Sequence, residues 1–171
     1  MTVDNKNMLS PVGFQLAIQR SPHINFFVQG ITVPSLGLGV MEQQTPVFTI
    51  PQPGDRVTYS ELQVSFRVDE DLNNYLDIFN WIKALGFPES PEQYAELEKQ
   101  PQWSGEGLVS DGTVLILSSA MNANVEFTFT DMWPTSLSGF EMNSRDTSVE
   151  YVECTVDFKF TSMKVRKIVD V

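Results

Sequence analysis

The stretch from Asp69 to Pro88 constrains the fold most, because it reads as one delimited helix in a chain otherwise patterned for strands. Asp69, Glu70 and Asp71 open it, where carboxylates accept unpaired N–H groups and face the positive end of the helix dipole. Leu72, Tyr75, Leu76, Phe79 and Ile82 recur three and four apart, the spacing that puts side chains on one face. Ile78, Trp81 and Leu85 widen that face beyond the roughly 100° a surface helix buries. Lys83 lies in the last turn, Gly86 fits a left-handed C-terminal position, and Pro88 bars continuation. Two readings of the wide face stand. Either both sides are core, or one packs on the chain's own sheet and the other meets a neighbouring subunit.

Elsewhere the period is two. Phe14, Leu16 and Ile18 alternate with polar or small residues, and Ser21-Pro22 breaks the pattern. Ile24–Val33 is expected to be a second strand, with Gly30 a possible bulge. Pro34–Val40 reads as a glycine-punctuated loop running on to Thr45. Thr45–Ile50, which contains Pro46, reads as an edge strand. Pro51–Asp55 reads as a turn, because proline and glycine supply its special angles. Leu62, Val64, Phe66 and Val68 form the clearest half-buried strand. Glu89–Gly107 is a charged insertion with a short helix expected from Pro91 and stopped at Pro101. Beyond a turn at 110–112, Thr113–Ser119 is an apolar strand. A turn at 122–124 leads to the alternation Val125, Phe127, Phe129, which Asp131–Thr135 closes. In the last strand Val152, Cys154, Val156, Phe158 and Phe160 face one way. Some seven strands and one main helix predict a mainly β fold, a sandwich or barrel with one flanking α-helix. Residues 1–171 read as a single domain with a flexible arm at 1–11.

The residue types exclude much chemistry. Cys154 is the single cysteine and His23 the single histidine, so no cysteine or histidine cluster supplies a zinc site. Cys154 falls on an apolar strand face as a small core residue, and His23 beside Pro22 reads as a solvated turn residue. The carboxylate pairs Asp69/Asp71 and Glu96/Glu98 fit capping and solvation, not acid–base work. Gly37 and Gly39 do not open a helix after a strand, as a phosphate loop would. The expectation is a protein that is not an enzyme and takes no cofactor. No apolar run approaches the ~20 residues that span a bilayer, and the N-terminus lacks a signal-peptide pattern, so synthesis and folding in a cytosol are expected. Against 11 basic residues stand 22 acidic ones, a formal net charge of −11. That opposes a phosphate-gripping role, leaves room for a surface that nucleic acid must pass without sticking, and is equally the pattern of acidity for solubility alone.

Two stretches carry a family resemblance: Val64–Lys83, a strand running through an acidic cap into an aromatic helix, and Met132-Trp133-Pro134-Thr135-Ser136-Leu137, followed by a polar turn and a closing strand ending Asp157-Phe158-Lys159-Phe160. In these the chain resembles the tail tube proteins of contractile-tailed (myovirus-type) bacteriophages. The resemblance implies a virion protein forming hexameric rings, whose sheets join into one barrel around a channel and which stack into the tube that DNA traverses. It implies tail sheath and baseplate proteins as partners, and as relatives the tube-initiating baseplate proteins and the type VI secretion tube protein. Under it, Glu126, Glu153 and Asp157 are expected to line the lumen. Leu36, Leu38, Val40 and Met41, with Phe79, Trp81 and Ile82, are expected at subunit or ring interfaces, the 34–45 loop ordering only on assembly. The rival class is a carbohydrate-binding β-sandwich, for which Trp103 is the remaining candidate platform once Trp81 is assigned to core and Trp133 to a strand end.

Overall fold

The computed structural model describes residues 8–86, 108–143, 145 and 151–168. Among them run nine strands and two helices: β1 (Phe14–Ile18), α1 (Pro22–Phe27), β2 (Val28–Thr32), β3 (Leu36–Gln44), β4 (Thr49–Tyr59), β5 (Leu62–Arg67), α2 (Asn73–Gly86), β6 (Ser110–Leu117), β7 (Ala123–Leu137), β8 (Glu153–Lys159) and β9 (Ser162–Lys167). The insertion at 89–107, with Pro91, Pro101 and Trp103, lies outside the described residues, as do Pro88 and residues 1–7 of the arm.

All pairings are antiparallel, and β7 belongs to two sheets. Its first half sits between β6 and β9, with β1 beyond β6, giving the order β1-β6-β7-β9. Its second half pairs β8 in the order β7-β8-β5-β2. The crossing is made at Asp131, whose φ of 52° is a left-handed kink. The extra residue resets the alternation, so that Phe129 and Met132 both point into the core. Residues 131–135 therefore bend the strand instead of closing it. The partner strand bends in step between β8 and β9. The Met163/Val165 alternation of β9, interrupted by Lys164 and Arg166, lies past where the sequence pattern was followed.

Between the sheets lies one apolar core. Leu16, Ile18, Val114 and Phe129 come from the first sheet, and Leu62, Val64, Phe66, Cys154, Val156 and Phe158 from the second. These are the inward members of the period-two patterns, now shown to face one another. Ile78 and Trp81 of α2 complete the cluster.

The start of α2 differs from expectation. The three acidic residues precede the helix instead of forming its first turn. Asp69 Oδ1 accepts the Asn73 N–H at 2.8 Å, and Leu72, at φ 59°, carries the chain into the helix. Buried Asn74 locks the junction: its Nδ2 donates to Arg67 O at 2.7 Å and its Oδ1 accepts from Asp69 N at 3.3 Å. Gly86 is helical, not left-handed.

Three further expectations are revised. Residues 22–27 form the short helix α1, not the start of a strand, because Pro22 at its first turn pre-sets a helical φ. His23 is thus an exposed helix residue. The 34–45 loop and the 51–55 turn together are the paired strands β3 and β4, whose real turn is Thr45–Phe48. The turn placed at 122–124 falls at Ser118–Asn122, closed by Ser118 N donating to Asn122 O at 2.7 Å.

Candidate functional site

With nothing in the sequence pointing to catalysis, the candidate functional features are surfaces, and among the described residues the β3–β4 hairpin carries the densest set of exposed apolar side chains. Its strands pair with each other and with no other described strand. At the base Ser35 N donates to Ser60 Oγ at 2.7 Å, and the Tyr59 ring lies 5.5 Å from that of Phe160. Beyond the base Leu36, Leu38, Val40, Met41, Val47 and Phe48 are exposed, Phe48 by 63%. Two glycines let the paired strands come close at the bulge: a Cβ on Gly54 would sit 2.5 Å from Gly39 O, closer than atoms approach. Apolar side chains on both strands of an arm held away from its own core are not explained by that core. The four hairpin residues singled out in the sequence are all on this arm, and the structure presents them already paired, not as a loop awaiting order.

The helix residues separate. Phe79 is 44% exposed and Ile82 half-buried, whereas Trp81 is 1% exposed. The Trp81 Nε1–H donates to Leu108 O at 3.0 Å, its ring lies 6.2 Å from that of Phe158, and the Arg20 guanidinium carbon sits 4.7 Å from its centroid. Trp81 is a core residue with no face left for a neighbour. Phe79 and Ile82 instead line a groove of about 530 Å³ with Tyr75 and Lys83, whose other wall is Thr135, Ser136 and Leu137 of β7.

The carboxylates also divide. Glu153 and Asp157 lie on the outer face of the second sheet. There Asp157 accepts from Gln63 Nε2 at 3.0 Å and Ser136 Oγ at 2.6 Å, and Glu153 pairs with Arg67 at 3.7 Å. On the same face Lys159 meets Glu61 at 3.6 Å. Glu126 lies on the outer face of the first sheet, in the row Gln15–Leu115–Glu126–Arg166, with Arg166 at 3.5 Å. The two outer faces point away from the shared core, so these three residues cannot line one channel.

Near the start of α2 burial pushes the Asp77 carboxyl above its ordinary range; His23 and Arg20 pull it down and Asp69 adds to the rise. Burial lowers Arg20 in turn, opposed by Asp77. Burial pushes the Cys154 thiol up, against a hydrogen bond from Ser138, which suits an inert core cysteine. Among the described residues no group of three or more His, Cys, Asp or Glu is placed to hold a metal ion, and no helix is long and apolar enough to cross a membrane.

The family model for the phage tail tube protein matches residues 5–166. The chain belongs to the phage tail tube protein family. The tail tube terminator protein of Enterobacteria phage T4 is 25% identical over 168 residues, covering 94% of this chain and 90% of that protein. Solved structures share the fold at lower identity. A chain of the anti-feeding prophage baseplate, 6-fold symmetrised, matches with a TM-score of 0.61 at 12% identity over 90% of each chain. The tube-terminating cap of the same prophage also gives 0.61 at 12% identity, over 98% of this chain and 97% of that one. The sheath–tube complex of an extracellular contractile injection system, in its extended state, gives 0.56 at 11% identity over 95% and 94%. The mainly β sandwich with its flanking helix α2 is the fold shared with these contractile-tail components.

Two features escaped the sequence reading. The hairpin hid because Gly37, Gly39, Pro51, Pro53 and Gly54 read as turn residues; the alternation of Leu36, Leu38 and Val40 against Val57 and Tyr59 was the available signal. The groove hid because it needs residues of α2 and β7 some 60 positions apart.

Proposed function

We propose that this chain forms a ring of the tube of a contractile phage tail, with six copies enclosing the channel through which DNA leaves. The carrying observation is the exposed, already-paired apolar hairpin β3–β4, which fits insertion against another copy of the chain and suits ring-to-ring or subunit contact. The 6-fold symmetry of the prophage baseplate to which the fold is similar supports the copy number. Sheath and baseplate proteins are the expected partners outside the ring, and DNA passes without sequence-specific contacts.

Two positions in the tail fit such a ring. As the repeated ring of the tube it stacks on both faces; as a terminal ring it stacks on one and stops growth. The T4 tube terminator relative favours the terminal position. Electron microscopy of the purified protein, alone and added to growing tubes, tests both. Rings that cap tubes and arrest elongation support the terminal reading, whereas self-stacking into long tubes supports the repeated one. Dispersed monomers under every condition overturn the ring itself.

A further inference from the structure

Strand β1 ends the first sheet, and its register fixes which of its backbone groups face outward. Leu117 N donates to Gly13 O at 2.9 Å and Gln19 N to Asp111 O at 3.3 Å, so the odd-numbered residues of β1 bond to β6. The N–H and C=O groups of Phe14, Leu16 and Ile18 therefore point away from the sheet. Those of Ile18 are taken: its N–H donates to Asn25 Oδ1 at 2.9 Å, and its carbonyl accepts from Asn25 Nδ2 at 3.3 Å. The Asn25 amide stands in for a strand residue and ends the open edge there. Phe14 and Leu16 face a cleft of about 510 Å³ that Asn25, Phe26, Val28 and Gln29 also line. Among the described residues no charged side chain lines it. The contrast is β9 at the other end of the sheet, where Lys164, Arg166 and Lys167 are all exposed, charges of the kind that guard an edge against strand addition.

We infer that the β1 edge receives Met8-Leu9-Ser10 of a second copy, the next one in the ring proposed above, on which reading this inference rests. A segment laid on an open edge gains a backbone ladder, and a cleft beside the edge takes its side chains. These three residues carry no charge, as the cleft carries none, and they belong to no described strand. Met8 is 89% and Leu9 64% exposed, so the described residues of their own chain leave them largely uncovered. Ser10 precedes Pro11, which biases it toward the extended backbone that pairing needs.

The segment does not lie back along its own strand. Pro11 and Val12 form the turn before β1. The two-residue turns that keep adjacent strands paired need a positive φ at their first central residue. Proline cannot adopt it, and neither Pro11 nor Val12 has it. The open edge and the uncovered segment are thus complementary but are not joined within one chain. Exchange between copies satisfies both.

Antiparallel pairing, the stronger kind, matches three residues to three between the Pro11–Val12 turn and the Asn25 stop. Ser10 of one copy then exchanges hydrogen bonds with Phe14 of the next, Met8 with Leu16, and Leu9 lies opposite Gln15. Phe26, exposed in the lone chain, forms the lip over the added residues.

Hydrogen exchange, quenched and read residue by residue, separates the two kinds of amide on β1. In the isolated chain Phe14 and Leu16 are expected to exchange freely while Ile18, held by Asn25, is slowed. In assembled rings Phe14 and Leu16 are expected to become as slow as Gln15 and Ala17. Oxidised rings of a Leu9→Cys/Gln15→Cys variant are expected to run as a covalent ladder on a denaturing gel, since the native Cys154 is buried and does not compete. Rings of the wild-type protein in which Phe14 and Leu16 still exchange freely overturn this inference and leave the ring reading standing, as does a variant whose cross-link forms only within single chains. Absence of rings from the wild-type protein overturns the ring reading and this inference with it.

Discussion

Trp81 shows how one side chain ties helix to sandwich. Its indole is 1% exposed, its N–H is spent on Leu108 O, and it touches the core through Phe158. Truncation leaves both a cavity and an unpaired carbonyl. Trp81→Ala is expected to cost about 3–5 kcal/mol, read as a lowered denaturation midpoint of the subunit; an unchanged midpoint would place α2 outside the cooperative unit. Asp77 acts in the opposite sense. Burial raises its pKa in the folded chain, so the folded state holds the proton more tightly than the unfolded one. Its contribution is then fully present below the ordinary carboxylate value and is lost as pH rises through the folded value. Asp77→Asn is expected to melt above wild type at pH 7, with the gap closing as pH falls toward 4. A gap that widened on acidification would mean that the Arg20 and His23 attractions outweigh burial.

Elements fold as their periodicity dictates wherever one side of a strand meets the core. Strands β1, β5, β6 and β8 were legible for that reason, since Leu62, Val64 and Phe66 alternate with polar residues because one face is buried and one is not. The hairpin escapes that logic. Neither of its faces is buried in the subunit, so no alternation of burial disciplines its sequence, and its glycines and prolines lie inside paired strands instead of in a turn. Gly54 is the position where this can be tested, because any Cβ there collides with the Gly39 backbone. Gly54→Val is expected to splay the two strands, leaving the sandwich's melting temperature within a degree or two while abolishing ring or tube assembly. Normal rings from that variant would remove the hairpin from the assembly contact. The kink at Asp131 was illegible for another reason. A single left-handed residue resets a strand's phase without any change in composition, so the pattern appears to stop where the strand only turns. The division of Glu126 from Glu153 and Asp157 follows from that kink and from the sheet pairing, neither of which alternation alone reveals.

At the scale of the whole molecule the question is where a net charge of −11 is displayed. A passing DNA strand is slowed by every uncompensated cation it meets, because each phosphate contact is an ion-exchange step. On the second sheet's outer face the Asp157 carboxylate accepts hydrogen bonds from Gln63 and Ser136 and, among the described residues, meets no cation, so replacing it breaks none of the ion pairs there. Asp157→Lys therefore adds a free cation to each subunit on that face while sparing the pairs Arg67–Glu153 and Lys159–Glu61. Phages carrying it are expected to assemble normal tails but eject DNA more slowly. The delay should grow as ionic strength is lowered, since screening shortens to about 10 Å at 0.1 M salt and lengthens below it. Glu126→Lys makes the same charge change on the opposite face, beside Arg166. It is expected to leave the ejection rate untouched at every salt concentration, even if it alters contact with the sheath. The comparison of the two variants in single-particle ejection kinetics decides which sheet faces the proposed channel: a delay confined to Glu126→Lys would put the first sheet's outer face there.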